Sequence, residues 1–80
     1  MRLTVLIRPK TGILDPQGEA VQTSLEALGF AVTEARVGRL VELEIDTDDE
    51  VRAIAEVERM CGELLANPLI ESYEIVRRPA

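Results

Sequence analysis

The chain has no histidine and no tryptophan, one cysteine, Cys61, and only two aromatic residues, Phe30 and Tyr73. Without imidazole it lacks the commonest general base and the commonest transition-metal ligand. A lone cysteine without histidine builds neither a Cys-His nucleophile pair nor a zinc site. It also excludes an intrachain disulfide, which fits a reducing compartment. The scarcity of aromatics removes the stacking platforms of single-strand binding, and a formal charge of -6 repels a phosphate backbone, so no nucleic-acid partner is expected. No apolar stretch approaches the ~20 residues of a membrane span. The N-terminal apolar run is short and broken by Arg8 and Pro9, unlike a signal peptide. A soluble cytoplasmic protein with no membrane contact is the expectation.

Phosphate and metal cradles are missing as well. Lys10-Thr11-Gly12 precedes a helix, but no Walker-type spacing exists. An anion at the helix start near Asp15 would be opposed by that carboxylate. The acidic run Asp46–Glu50 lacks the spacing and glycine of an EF-hand. Glu42 and Glu44 share a strand face with nothing to perturb them toward acid–base work. Cys61 falls on an apolar helical stripe and reads as a buried structural thiol. The expectation is no catalytic residue, no metal ligand and no bound cofactor.

What is present is an aliphatic globular composition, 46% apolar and 30% charged, in 80 residues that form one domain, 1–80. A folded monomer of this mass exposes roughly 4,800 Å². Its stability margin is thin, and self-association is a common remedy at this size. Charge is uneven: Arg2, Arg8 and Lys10 stand without an acid in residues 1–10, and residues 42–50 carry six acids and no base.

Residues 2–8 alternate, with Leu3, Val5 and Ile7 on one side and Arg2, Thr4, Arg8 and the exception Leu6 on the other, which is a strand. Asp15-Pro16 opens a helix by cap and N1 proline. Val21, Leu25 and Leu28 form its stripe, and Gly29-Phe30 supplies a Schellman end. Phe30–Val37 reads as a second strand, Val37-Gly38-Arg39 as a tight turn with Gly38 at φ > 0, and residues 40–45 as a third strand with Leu40 on the polar side. Thr47-Asp48-Asp49-Glu50 has the form of a capping box. The stripe Val51, Ile54, Val57, Cys61, Leu64, Leu65 follows, ended by Asn67-Pro68. Leu69–Val76 is the last strand and Arg77-Arg78-Pro79-Ala80 a short tail.

This is a βαββαβ, ferredoxin-like order: an α+β two-layer sandwich with an antiparallel sheet and two helices on one face. The other face should be polar, yet it would carry Leu6, Leu40 and Leu69 or Ile70. A second copy or a partner is expected to cover it, burying roughly 800 Å² per partner.

Gly12-Ile13-Leu14-Asp15-Pro16-Gln17-Gly18-Glu19-Ala20-Val21 resembles the GVLDPQGxAV segment of the PurS family, the small subunit of phosphoribosylformylglycinamidine synthase. The same family is matched by Leu28-Gly29-Phe30, Arg36-Val37-Gly38-Arg39, Met60-Cys61, Leu64-Leu65-Ala66-Asn67-Pro68 and Ile70-Glu71-Ser72-Tyr73-Glu74. The likeness spans nearly the whole chain in order. It departs at Leu40, where an aromatic is frequent, and at Ser72, where an acid is. The resemblance implies a non-catalytic subunit of a glutamine-dependent amidoligase of purine biosynthesis, which makes formylglycinamidine ribonucleotide from formylglycinamide ribonucleotide, ATP and glutamine. A large synthetase subunit would use ATP and Mg, and a glutaminase subunit would release ammonia. This subunit, as a homodimer or tetramer, would join them and support ammonia transfer. The candidate interface residues are Leu6, Lys10, Gln17, Gly18, Arg36, Gly38, Arg39, Leu40 and Tyr73. An ACT-like regulatory ligand-binding module is the alternative reading.

Overall fold

The computed structural model describes residues 1–77, and the expected tail at 78–80 lies outside them. Strand β1 (Arg2–Pro9) is the middle of a three-stranded antiparallel sheet, between β2 (Arg39–Glu44) and β3 (Glu71–Arg77). Leu3, Val5 and Ile7 pair with Leu43, Val41 and Arg39 on one side and with Arg77, Ile75 and Tyr73 on the other. Residues directly opposite in a ladder share a face, so this register defines an inner face. Leu3, Val5 and Ile7 are fully buried there.

Helix α2 (Glu50–Met60) covers that inner face with Ala53 and Val57, and Cys61 and Ala66 complete the core. The helix runs on through one wide turn, Cys61–Leu65, in which the amide of Ala66 donates to the carbonyl of Cys61 at 3.0 Å. That i→i+5 bond is a π-type turn. It corrects the expected stripe: widening the turn brings Leu65, half-buried, in line below Cys61 and leaves Leu64 83% exposed. Val51 also faces out, at 79%. The capping box is corrected too. Asp49 caps the helix by accepting from the Arg52 amide, while the Thr47 hydroxyl accepts from the Asp49 amide. Glu50 pairs with Arg77 at 2.7 Å instead of reaching back to Thr47.

Helix α1 (Pro16–Ala27) begins and ends as its sequence dictates. Asp15 accepts from the Gly18 amide at 3.0 Å, and Pro16 fills the first turn. Gly29 takes φ +95°, and bonds from Gly29 to Glu26 and from Phe30 to Leu25 close a Schellman end. Among the described residues α1 adds no side chain to the core cluster. Two of the three stripe positions are uncovered: Leu28 is 74% exposed and Val21 42%, with Leu25 half-buried between them.

The α+β class and antiparallel sheet are as expected. Phe30–Val37, however, runs without joining the sheet. It is held to α1 instead, by Gln22 Nε2 on the Thr33 carbonyl (3.2 Å) and by the Val37 amide on Asp15 (2.9 Å). The result is an arm. The molecule measures 48 × 29 × 14 Å with a radius of gyration of 15.7 Å, against about 12 Å for a compact chain of this length. Its accessible surface is 5948 Å², roughly 1,100 Å² above the compact expectation.

Candidate functional site

Among the described residues no cluster of metal-ligating side chains forms, and no helix is long and apolar enough to cross a membrane. Cys61 is buried, and its thiol is pushed up by that burial, with the Glu58 charge adding to the shift. A high thiol pKa means little thiolate and low reactivity.

The candidate interface residues separate into groups. Leu6, Arg36, Gly38, Arg39 and Leu40 come together around one groove of about 480 Å³, with Ile7, Arg8 and Pro9 completing its lining. Pairing of Leu6 with Leu40 in the β1–β2 ladder puts these two side by side on the outer sheet face. Leu6 is half-buried there and Leu40 53% exposed. Leu69 and Ile70, expected on the same face, lie in the turn before β3.

Gly38 sits at the groove for a different reason from the one expected. Its φ is not positive. A Cβ at this position would overlap the carbonyl oxygen of Ile7, so glycine is needed for close approach of two backbones. Arg39 lies on the inner-face register opposite Ile7, and its guanidinium reaches the Glu71 carboxylate at 2.8 Å and the Leu65 carbonyl at 3.1 Å. The Asn67 amide and this guanidinium together hold the Glu71 carboxyl below the usual carboxylate range. Arg39 therefore braces the 65–71 turn as well as lining the groove. Arg8 meets Glu74 at 3.5 Å. Arg36 has no ion-pair partner among the described residues.

The remaining candidates are elsewhere. Lys10 clamps the same turn from the other side, its Nζ on the Pro68 carbonyl (2.6 Å) and its amide on the Ile70 carbonyl (2.8 Å). It also lines a smaller cleft of about 200 Å³ with Asp15, Glu19, Glu34 and Arg36. Gln17 is exposed at the start of α1, whereas Gly18 is buried. A Cβ on Gly18 would overlap the Ala35 carbonyl and the Asp15 carboxylate, which gives it an internal role. Tyr73 pairs with Ile7 and so lies on the inner face, away from Leu6 and Leu40.

Sequence reasoning missed Arg8 and Pro9 as groove residues, although Arg8 already stood on the polar side of the β1 alternation. It also missed the second oxygen of Asp15. That carboxylate accepts from the Val37 amide as well as the Gly18 amide, and these donors, with Arg36 nearby, hold it below its ordinary range.

Known proteins carry the same pattern. The family model described as PurS, phosphoribosylformylglycinamidine (FGAM) synthase, matches residues 2–78. The phosphoribosylformylglycinamidine synthase subunit PurS of Synechocystis is 42% identical over 73 residues, covering 90% of this chain and 71% of that protein. Its counterpart in Methanocaldococcus jannaschii is 40% identical over 75 residues, covering 92% and 90%. The crystal structure of Methanocaldococcus jannaschii PurS, described as one of the subunits of formylglycinamide ribonucleotide amidotransferase, superposes with a TM-score of 0.82 at 39% identity, over 94% of this chain and 92% of that one. A chain in the structure of PurLQS from Thermotoga maritima gives 0.86 at 30% identity, over 94% and 93%.

Proposed function

Because this chain belongs to the PurS family of phosphoribosylformylglycinamidine synthase subunits, we propose that it works by assembly, joining an ATP-dependent synthetase subunit to a glutaminase subunit and supporting ammonia transfer between them. ATP and Mg belong to the synthetase subunit, and this chain binds no cofactor of its own. The setting is the cytoplasm.

The observation that carries this reading is the uncovered arm. Val21 on α1, Leu28 at its C-cap and Phe30 beyond it are exposed on a chain whose surface exceeds the compact expectation by roughly 1,100 Å². A standard interface buries about 800 Å² on each side, so the excess is of the size one interface removes. Self-association, as a dimer or a tetramer, is the first use of that surface. Docking of the two larger subunits is the second. An independent ligand-binding module is not favoured, since the similar proteins are subunits of one synthase.

The test is reconstitution. The purified chain is mixed with the synthetase and glutaminase subunits, with glutamine and nucleotide present, and followed by size exclusion and by glutamine-dependent formation of product. A larger species with activity is expected. Separate elution under every condition would reject the assembly role.

A further inference from the structure

The groove beside Gly38 segregates charge in an acidic chain. Three arginines, Arg8, Arg36 and Arg39, line it, and no carboxylate does, although the chain as a whole carries -6. Arg39 and Arg8 are partly neutralised by Glu71 and Glu74, which stand outside the lining. Arg36 is exposed and has no ion-pair partner among the described residues, though it also borders the smaller cleft that holds Asp15, Glu19 and Glu34. Leu6, Pro9 and Leu40 give the groove an aliphatic floor, the Ile7 side chain being buried on the inner face. The close backbone approach of Gly38 to Ile7 and the Arg39–Glu71 bond fix the rim, so little ordering is left to be done on binding.

We propose that this groove seats an acidic segment of one of the partner polypeptides in the assembled complex. A carboxylate of that segment meets the Arg36 guanidinium, and an aliphatic side chain beside it lies on Leu6 and Leu40. The proposal rests on the assembly reading and names the surface and the chemistry of one contact within it. Charge complementarity selects the occupant. A second copy related by a two-fold axis, groove to groove, would set arginines against arginines, which is repulsive. A second copy offering its acidic stretch at 42–50 would make a head-to-tail contact, which closes into a ring or propagates as a filament instead of forming a symmetric pair.

The experiment measures assembly of the whole complex with wild-type chain, Arg36→Glu and Arg36→Lys at low and high salt, together with sedimentation and circular dichroism of each isolated chain. Arg36→Glu should weaken assembly about tenfold or more at low salt, Arg36→Lys should weaken it less, and the gap should narrow at high salt. Self-association and circular dichroism should be unchanged; if Arg36→Glu misfolds, Arg36→Gln takes its place. Wild-type-like assembly of the variant would overturn the proposal, as would a loss that ignores salt. Altered sedimentation of the isolated variant would assign the groove to a second copy instead. If the wild-type chain itself does not assemble, the assembly reading falls and the proposal falls with it, a result distinct from failure of the variant alone.

Discussion

The Asp15 carboxylate and the Val37 amide meet at 2.9 Å across 22 residues of chain. The other oxygen of the same carboxylate caps α1 through the Gly18 amide at 3.0 Å. One side chain therefore fixes both where the arm helix starts and how the chain returns toward β2. Glu71 does the corresponding work at the opposite turn, accepting from the Asn67 amide at 2.8 Å and from Arg39 at 2.8 Å.

Acid should loosen both joints. Each carboxyl is held below its ordinary range in the folded chain by the donors around it, so folding favours the ionised form. Stability from this source is complete above the unfolded carboxylate range, about pH 4–5, and is lost as pH falls through the depressed folded values. The urea midpoint should be level from about pH 7 to about pH 5 and then fall. Asp15→Asn with Glu71→Gln removes the charge and one acceptor oxygen from each joint, so it should lower the midpoint at neutral pH and make that fall shallower. A double variant whose acid limb is as steep as the wild type's would exclude these two groups as its cause.

Two glycines should respond in opposite directions to the same change. Gly38→Ala drives a Cβ into the Ile7 carbonyl, and relieving that overlap requires backbone movement costing roughly 1–3 kcal/mol. Gly62, inside the wide turn after α2, has open space where its Cβ would go. Gly62→Ala should gain roughly 0.5–1 kcal/mol from helix propensity alone. Paired denaturation curves decide the matter: equal and small effects at both sites would mean that the β2 approach to β1 has slack.

Cys61 should behave as a core atom and not as a reagent. It is fully buried beneath the sheet with a raised thiol pKa, so a disulfide-forming thiol probe should label it only at the rate of unfolding. Cys61→Ser places a hydroxyl in an apolar site and should destabilise by about 1–3 kcal/mol. Prompt stoichiometric labelling of native protein would contradict the burial.

The parts legible in the sequence are those governed by local rules. The β1 alternation, the Asp15-Pro16 start and the Gly29 stop each involve neighbours within about one turn, and all three stand. Misread parts depended on distant partners. Phe30–Val37 has strand-like composition, but the Thr33 carbonyl and the Val37 amide bond to Gln22 and Asp15, and the segment joins no sheet edge among the described residues. Leu64 has the right helical spacing, yet the wide turn rotates it outward. The groove was half legible: Leu6 and Leu40 announced themselves as apolar residues on a polar face. Arg39 stood among the interface candidates with no sign of its internal brace, because nothing in its neighbourhood reveals Glu71, 32 residues away.

The arm makes the strongest demand on a second molecule. Leu28 and Val21 touch no core cluster, so replacing each with lysine should change the stability of a monomer by no more than about 0.5 kcal/mol. If these side chains are buried between copies, the same double substitution places two charges in an apolar interface and should shift sedimentation toward the monomer. Leu6→Lys is the necessary comparison, because it charges the outer sheet face while leaving the arm untouched. Loss of self-association in the arm variant alone assigns the contact to α1, and loss in Leu6→Lys alone assigns it to the sheet. Loss in both would mean that copies pair through each surface, and would count against the groove at Leu6 being kept for a larger partner. Intact self-association in both variants would leave the excess surface without a role in pairing, and the arm would then belong to the larger partners.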